Sequence, residues 1–142
     1  MNKHLTQCQT NEEFLAEIKD KFPDTFFDWK VTVVFYAATH LIRGKALEYN
    51  GVTIGNSHKD VFEYLKTEAG EDSKVYRSFK KLYWNSRDAR YSGFTTRENF
   101  DRLFRGKLEE SRTSYGKIKS YFESKKAPEA AVAQVEAAAK RP

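Results

Sequence analysis

Apolar residues fall on almost every side of the segment from Val31 to Ala38, so a helix built from it keeps no face for water. The wider stripe runs Phe26, Phe27, Val31, Val34, Phe35, Ala38, Leu41, Ile42 and Leu47, at helical spacing. A helix of that kind belongs at the centre of a bundle or at a subunit interface. The run Val31-Thr32-Val33-Val34-Phe35-Tyr36 also suits a strand by propensity. Helix is preferred because neither a hairpin signal nor a partner strand follows.

The other segments supply helices to surround it. Thr10-Asn11-Glu12-Glu13 reads as a capping box that opens a first helix through Phe14, Leu15, Ile18 and Phe22, closed by Pro23. Asp24 or Thr25 is positioned to cap the central helix, and Asn50-Gly51 ends it. Val52 to Asn56 reads as a loop. Ser57 caps a third helix with Val61, Phe62 and Leu65, ending near Gly70. Ser73 caps a fourth with Val75, Tyr76, Phe79, Leu82 and Tyr83 inward, broken at Ser92-Gly93. Thr95-Thr96-Arg97-Glu98 reads as a second capping box ahead of a long fifth helix through Phe100, Leu103, Phe104, Leu108, Tyr115, Ile118, Tyr121 and Phe122. The expected fold is all-α, a four- to five-helix up-and-down bundle over residues 10–126. Residues 1–9 are expected to be a frayed start, and 127–142 an Ala-rich tail, a frayed helix or disordered.

Only 39% of the residues are apolar, but 15% are aromatic, and large rings bury much area each, so 142 residues still make one ordinary core. The single cysteine, Cys8, excludes an internal disulfide and a CxxC metal knuckle. No apolar run approaches the ~18 residues of a membrane span, and the N-terminus lacks the pattern of a signal peptide. The expectation is a cytoplasmic protein without a membrane partner. His4, His40 and His58 have no metal-ligand spacing, and neither a phosphate-binding Gly-rich loop nor a nucleophile elbow is present. No metal and no cofactor is expected.

The net charge of +5 is unevenly spread. Met1 to Lys30 and Val31 to Ser73 each balance at −2, whereas Lys74 to Arg90 carries +5 and Arg97 to Lys126 carries +4. A polyanion would meet the second half of the fold. A solvated basic face without a partner is the plainer reading of the same charges.

Three words hold the residues able to do chemistry. In Phe35-Tyr36-Ala37-Ala38-Thr39-His40, Tyr36 and His40 are four apart and share a helix face. They are either satisfied inside the bundle or open to a polar cleft, where neutral His40 would serve as base or acid. In Ser57-His58-Lys59, His58 and Lys59 stand at a helix N-terminus, a place for a cap or for an anion. In Ser86-Arg87-Asp88-Ala89-Arg90-Tyr91, Arg87 has Arg90 and Tyr91 as neighbours on the helix surface, and Arg77 and Lys80 extend the basic track. Arginine forks suit phosphate and Tyr91 suits stacking on a base. The alternative is an internal network of these arginines with Asp24, Asp28 or Glu48.

Taken in order, with Arg87-x-x-Arg90-Tyr91-x-Gly93-Phe94 before a capped last helix, these words resemble the HEPN superfamily over roughly Phe22 to Phe122. The resemblance implies a four- to five-helix bundle that usually dimerises. It implies RNA or nucleotide binding, or metal-independent ribonuclease activity in toxin–antitoxin, abortive-infection or CRISPR systems, with an antitoxin or another subunit as partner. Other members only assemble complexes. Catalytic members carry an Arg followed four to six residues later by His, and no Arg here is followed by His at that distance. The site expected on this chain therefore comprises Tyr36, Lys59, Arg77, Lys80, Arg87, Arg90 and Tyr91 as phosphate- or base-binding residues. If it is catalytic, His40, His58 and Arg87 carry the reaction. The readings are, in order, an RNA- or nucleotide-binding module, a ribonuclease with a non-standard His/Arg site, and a non-catalytic helical scaffold.

Overall fold

A computed structural model describes residues 2–91 and 96–125. Five helices and no strand occur among them: α1 (Lys3–Lys21), α2 (Phe27–Asn50), α3 (His58–Ala69), α4 (Lys74–Tyr91) and α5 (Arg97–Ser124). They form an all-α helical bundle, as the periodicity requires. The central helix is α2, which packs on each of the other four. Val31, Val34, Phe35, Ala38, Ile42 and Ala46 along it are completely buried. They meet Val61 and Leu65 of α3, Phe79 and Leu82 of α4, and Phe104 and Ile118 of α5 in one continuous core. No helix among the described residues is long and apolar enough to cross a membrane.

Helix ends follow local chemistry, with three departures from the sequence reading. α1 begins seven residues before Thr10. Asn2 is its N-cap, its side chain accepting from the amides of His4 and Leu5, so residues from Lys3 onward form ordered turns rather than a frayed start. Tertiary contact secures this turn. The Asn2 amide donates to the Gly44 carbonyl at 3.0 Å, and a Cβ on Gly44 would lie 2.5 Å from Leu5 Cδ2. Thr10 is mid-helix, its hydroxyl donating to the Thr6 carbonyl.

Neither Asp24 nor Thr25 caps α2. Phe26 takes the N-cap position in the left-handed region (φ 58°) without a side-chain cap, while Thr25 donates to Asp101 of α5 at 2.7 Å. At the fifth helix Thr96 is the cap, accepting from the Asn99 amide. The boundary thus lies one residue beyond the one read from Thr95, which lies outside the described residues, as do Ser92-Gly93 and the tail 127–142. Ser57 and Ser73 behave as read. Ser57 and Asp60 form a reciprocal capping box, and the Ser73 hydroxyl accepts from the Tyr76 amide at 3.2 Å.

Two polar devices fix how the helices meet. Lys30, 1% exposed, sends its ammonium to the Phe22 carbonyl at 2.6 Å, closing the C-terminal end of α1 where a cation is favoured. Asn85 of α4 donates to Ser111 of α5 at 3.2 Å. With Ser78 and Ser114 also buried, this small polar seam lets α4 and α5 approach closely.

Candidate functional site

The site grows from Phe35. Its ring stacks on Phe79 at 5.6 Å and meets His58 edge-on at 5.0 Å. This places the first residue of α3 against the middle of α2. Tyr83 of α4 completes a three-ring cluster, 5.8 Å from His58 and 6.1 Å from Phe35. The loop before α3 is held down by Arg43, whose guanidinium donates to the carbonyls of Gly55 at 3.1 Å and Ser57 at 3.4 Å.

Around this aromatic floor stand the cations of α4. Arg90 donates to the Tyr36 hydroxyl at 3.3 Å and, along its own helix, to the Ser86 carbonyl at 3.3 Å. It also lies over the rings of Tyr36 and Tyr91, at 5.9 and 5.3 Å. Arg87 donates to the Tyr83 hydroxyl at 3.2 Å and lies 5.7 Å from the Trp84 ring. Tyr36, His58, Arg87, Arg90 and Tyr91, read from three separate words, thus fall on one surface patch.

Four other residues on the same reading lie apart. His40 pairs with His4, Nδ1 to Nδ1 at 3.2 Å, with the rings stacked. The start of α1 therefore covers it. Lys59 is exposed beside the α3 cap. Arg77 lies toward α5, in a groove of about 370 Å³ with Lys74, Ser78, Lys81, Ser114 and Lys117. Lys80 faces solvent. Arg43 and Trp84 are absent from the sequence reading, and Tyr83 enters it only as an inward position of the fourth helix. Arg43 continues the Tyr36–His40 face by another turn, a spacing that sequence carries. The contact of Tyr83 with His58 depends on which helices meet, which sequence does not carry.

The electrostatics of the patch are one-sided. Among the described residues, Arg43, Arg87 and Arg90 have no carboxylate within ion-pair distance. The neutralising partners anticipated for Arg87 and Arg90 serve elsewhere. Asp28 pairs with Arg97 at 3.1 Å, Glu48 with Lys45 at 3.7 Å, and Asp24 lines a cavity with Arg97, Arg102 and Arg105. Asp60 is held below the usual carboxylate range by its hydrogen bonds to Ser57, with Arg43 a smaller influence. Burial holds His58 below its ordinary pKa, and Arg90 and Arg43 push it lower still. His58 is therefore a neutral imidazole at pH 7, and its Nδ1 is buried without a protein hydrogen-bond partner. Among the described residues no group of three or more His, Cys, Asp and Glu is arranged to hold a metal ion.

No protein-family model and no curated protein matches this chain.

Proposed function

We propose that the α2–α3–α4 patch binds the phosphates of RNA or of a nucleotide. The observation that carries this reading is the un-neutralised set Arg43, Arg87 and Arg90, fixed by neutral partners. Arg87 and Arg90 are held by the hydroxyls of Tyr83 and Tyr36, which orient the guanidinium groups without cancelling their charge. Such preorganised forks repel one another and are stabilised by an oxyanion placed between them. The order of the motifs and the all-α bundle support a HEPN-like setting, in which the protein acts as a dimer in the cytoplasm within a bacterial toxin–antitoxin or defence system.

The test is binding of a single-stranded oligoribonucleotide across a salt series. Affinity is expected to fall steeply and linearly on logarithmic axes as counterions are released. Arg87→Ala and Arg90→Ala should each lower that slope by about 1. Undetectable binding at low salt overturns the reading.

A second reading has one observation in its favour: His58 is held neutral beside Arg90, the pairing a base and a phosphate-stabilising cation require. On it the protein is a metal-independent ribonuclease. Digestion of total RNA by the wild type, abolished in His58→Ala, is the expected result. An absence of cleavage, or cleavage undiminished in both His58→Ala and His40→Ala, rejects it.

A further inference from the structure

The outer face of α4 carries a pattern that the patch uses only in part, through Arg87 and Tyr91. Arg77, Lys80, Trp84, Arg87 and Tyr91 follow one another at steps of three, four, three and four residues, and every one is exposed. That spacing draws a single stripe along a helix. Core residues Val75, Phe79, Leu82, Ser86 and Ala89 occupy the opposite side, so the stripe points to solvent. From Arg77 to Tyr91 it extends ~21 Å at the helical rise. Trp84 is 49% exposed and Tyr91 74%, although large apolar rings ordinarily gain by burial.

The chemistry of the stripe selects among occupants. It contains no acidic residue, and the one carboxylate of α4, Asp88, turns toward α5 to pair with Lys107 at 3.2 Å. Arg77, Lys80 and Arg87 have no carboxylate within ion-pair distance among the described residues. A second protein copy docking through this face would bring cations against cations. A duplex would offer phosphates to the cations but no free base face to the rings. A single strand supplies both, phosphates for the three cations and unstacked bases for Trp84 and Tyr91.

We infer that the solvent face of α4 is a track for single-stranded nucleic acid, along which Trp84 stacks on a base. The inference rests on the phosphate-binding reading and narrows it, because a mononucleotide would occupy the patch at Arg90 and leave Trp84 untouched. Arg87 is common to both, so a strand entering at Arg90 continues past Arg87 toward Lys80 and Arg77.

The chain has two tryptophans, Trp29 and Trp84, so Trp29→Phe leaves Trp84 as the only indole. That variant is titrated at low salt with a 12-mer oligouridylate, with a duplex RNA and with uridine monophosphate. The oligouridylate should quench Trp84 emission, whereas the monophosphate should not. In the protein with both tryptophans, Trp84→Ala should weaken oligouridylate binding about tenfold and Trp84→Phe much less, as loss of one stacked base predicts. Duplex affinity should not respond to Trp84→Ala. Circular dichroism and sedimentation of each variant establish that fold and oligomeric state are kept.

Oligouridylate binding without quenching, with Trp84→Ala unaffected and Arg90→Ala weakened, overturns the track and leaves the patch standing. Binding sensitive to Trp84→Ala and indifferent to Arg90→Ala, with quenching, upholds the track and removes the patch. Absence of oligouridylate binding overturns both. A change of oligomeric state in Trp84→Ala at unaltered affinity shows the stripe to be a protein contact and overturns the track.

Discussion

At the scale of single residues, the behaviour of His58 follows from what surrounds it. Phe35 and Tyr83 cover its ring, which disfavours the charged form. Arg90 adds repulsion, and Arg43 a smaller share. Burial is the largest cause, so removing one cation restores the pKa only in part. Arg90→Gln is therefore expected to raise the His58 pKa part of the way toward 6.5, as followed by NMR of the ring protons across pH. Arg43→Gln gives less information, because it also releases the loop carbonyls of Gly55 and Ser57 and moves His58 itself. A His58 titration unmoved by Arg90→Gln would show that the guanidinium does not reach the ring, and the ribonuclease reading, which pairs His58 with Arg90, would fail with it.

At the scale of the element, the first turns of α1 depend on a histidine pair. The Nδ1 atoms of His4 and His40 share one hydrogen bond, so one ring donates and the other accepts. Protonating both leaves two donors face to face. Both pKa values lie below 6.5, chiefly through burial. Lys3 and Arg43 add to it at His4, and His4 and Arg43 at His40. The unfolded chain therefore binds these protons first. The stabilisation is complete above the ordinary value of 6.5 and is lost as pH falls through the lower folded values. Protection of the amides in residues 3–9, taken relative to the intrinsic base-catalysed exchange rate at each pH, is expected to fall below pH 6.5 ahead of the rest of the bundle. His40→Gln should flatten that response, and unchanged protection factors between pH 7.5 and 5 in the wild type, roughly one unit either side of the histidine range, would refute it.

The same turn shows which part of the fold sequence carries. Ser57 and Ser73 are legible as caps because their helices begin where the apolar period begins. Thr10 misleads because nothing in residues 3–9 breaks a helix. What orders them is Gly44 and His40, more than thirty residues away. The patch divides in the same way. Arg87, Arg90 and Tyr91 declare themselves by spacing along one helix, and Tyr36 by its place on an otherwise apolar one. Arg43 continues the Tyr36–His40 spacing and is legible there, whereas Tyr83 as the neighbour of His58 becomes visible only once α2, α3 and α4 are assembled.

At the scale of the whole molecule, α2 decides how the bundle comes apart. Every other helix packs on it. Its Phe35 is completely buried, shared between the core ring of Phe79 and the site ring of His58. A bundle joined through one central helix has no half that keeps a core when α2 leaves, so unfolding is expected to be two-state. Trp29 lies in the first turn of α2 and Trp84 on α4, so Trp84→Phe and Trp29→Phe give two single-indole reporters. Their urea transitions should coincide with each other and with loss of helical circular dichroism. Introducing Phe35→Ala into both should lower stability by ~3–5 kcal/mol, as truncation of a core phenylalanine does, and move the two midpoints equally at unchanged slope. If the substitution shifted the Trp29 transition but left that of Trp84 in place, α4 and α5 would form a unit able to stand without α2. The patch at Arg90 would then sit on a hinge between two folding units rather than on one rigid surface.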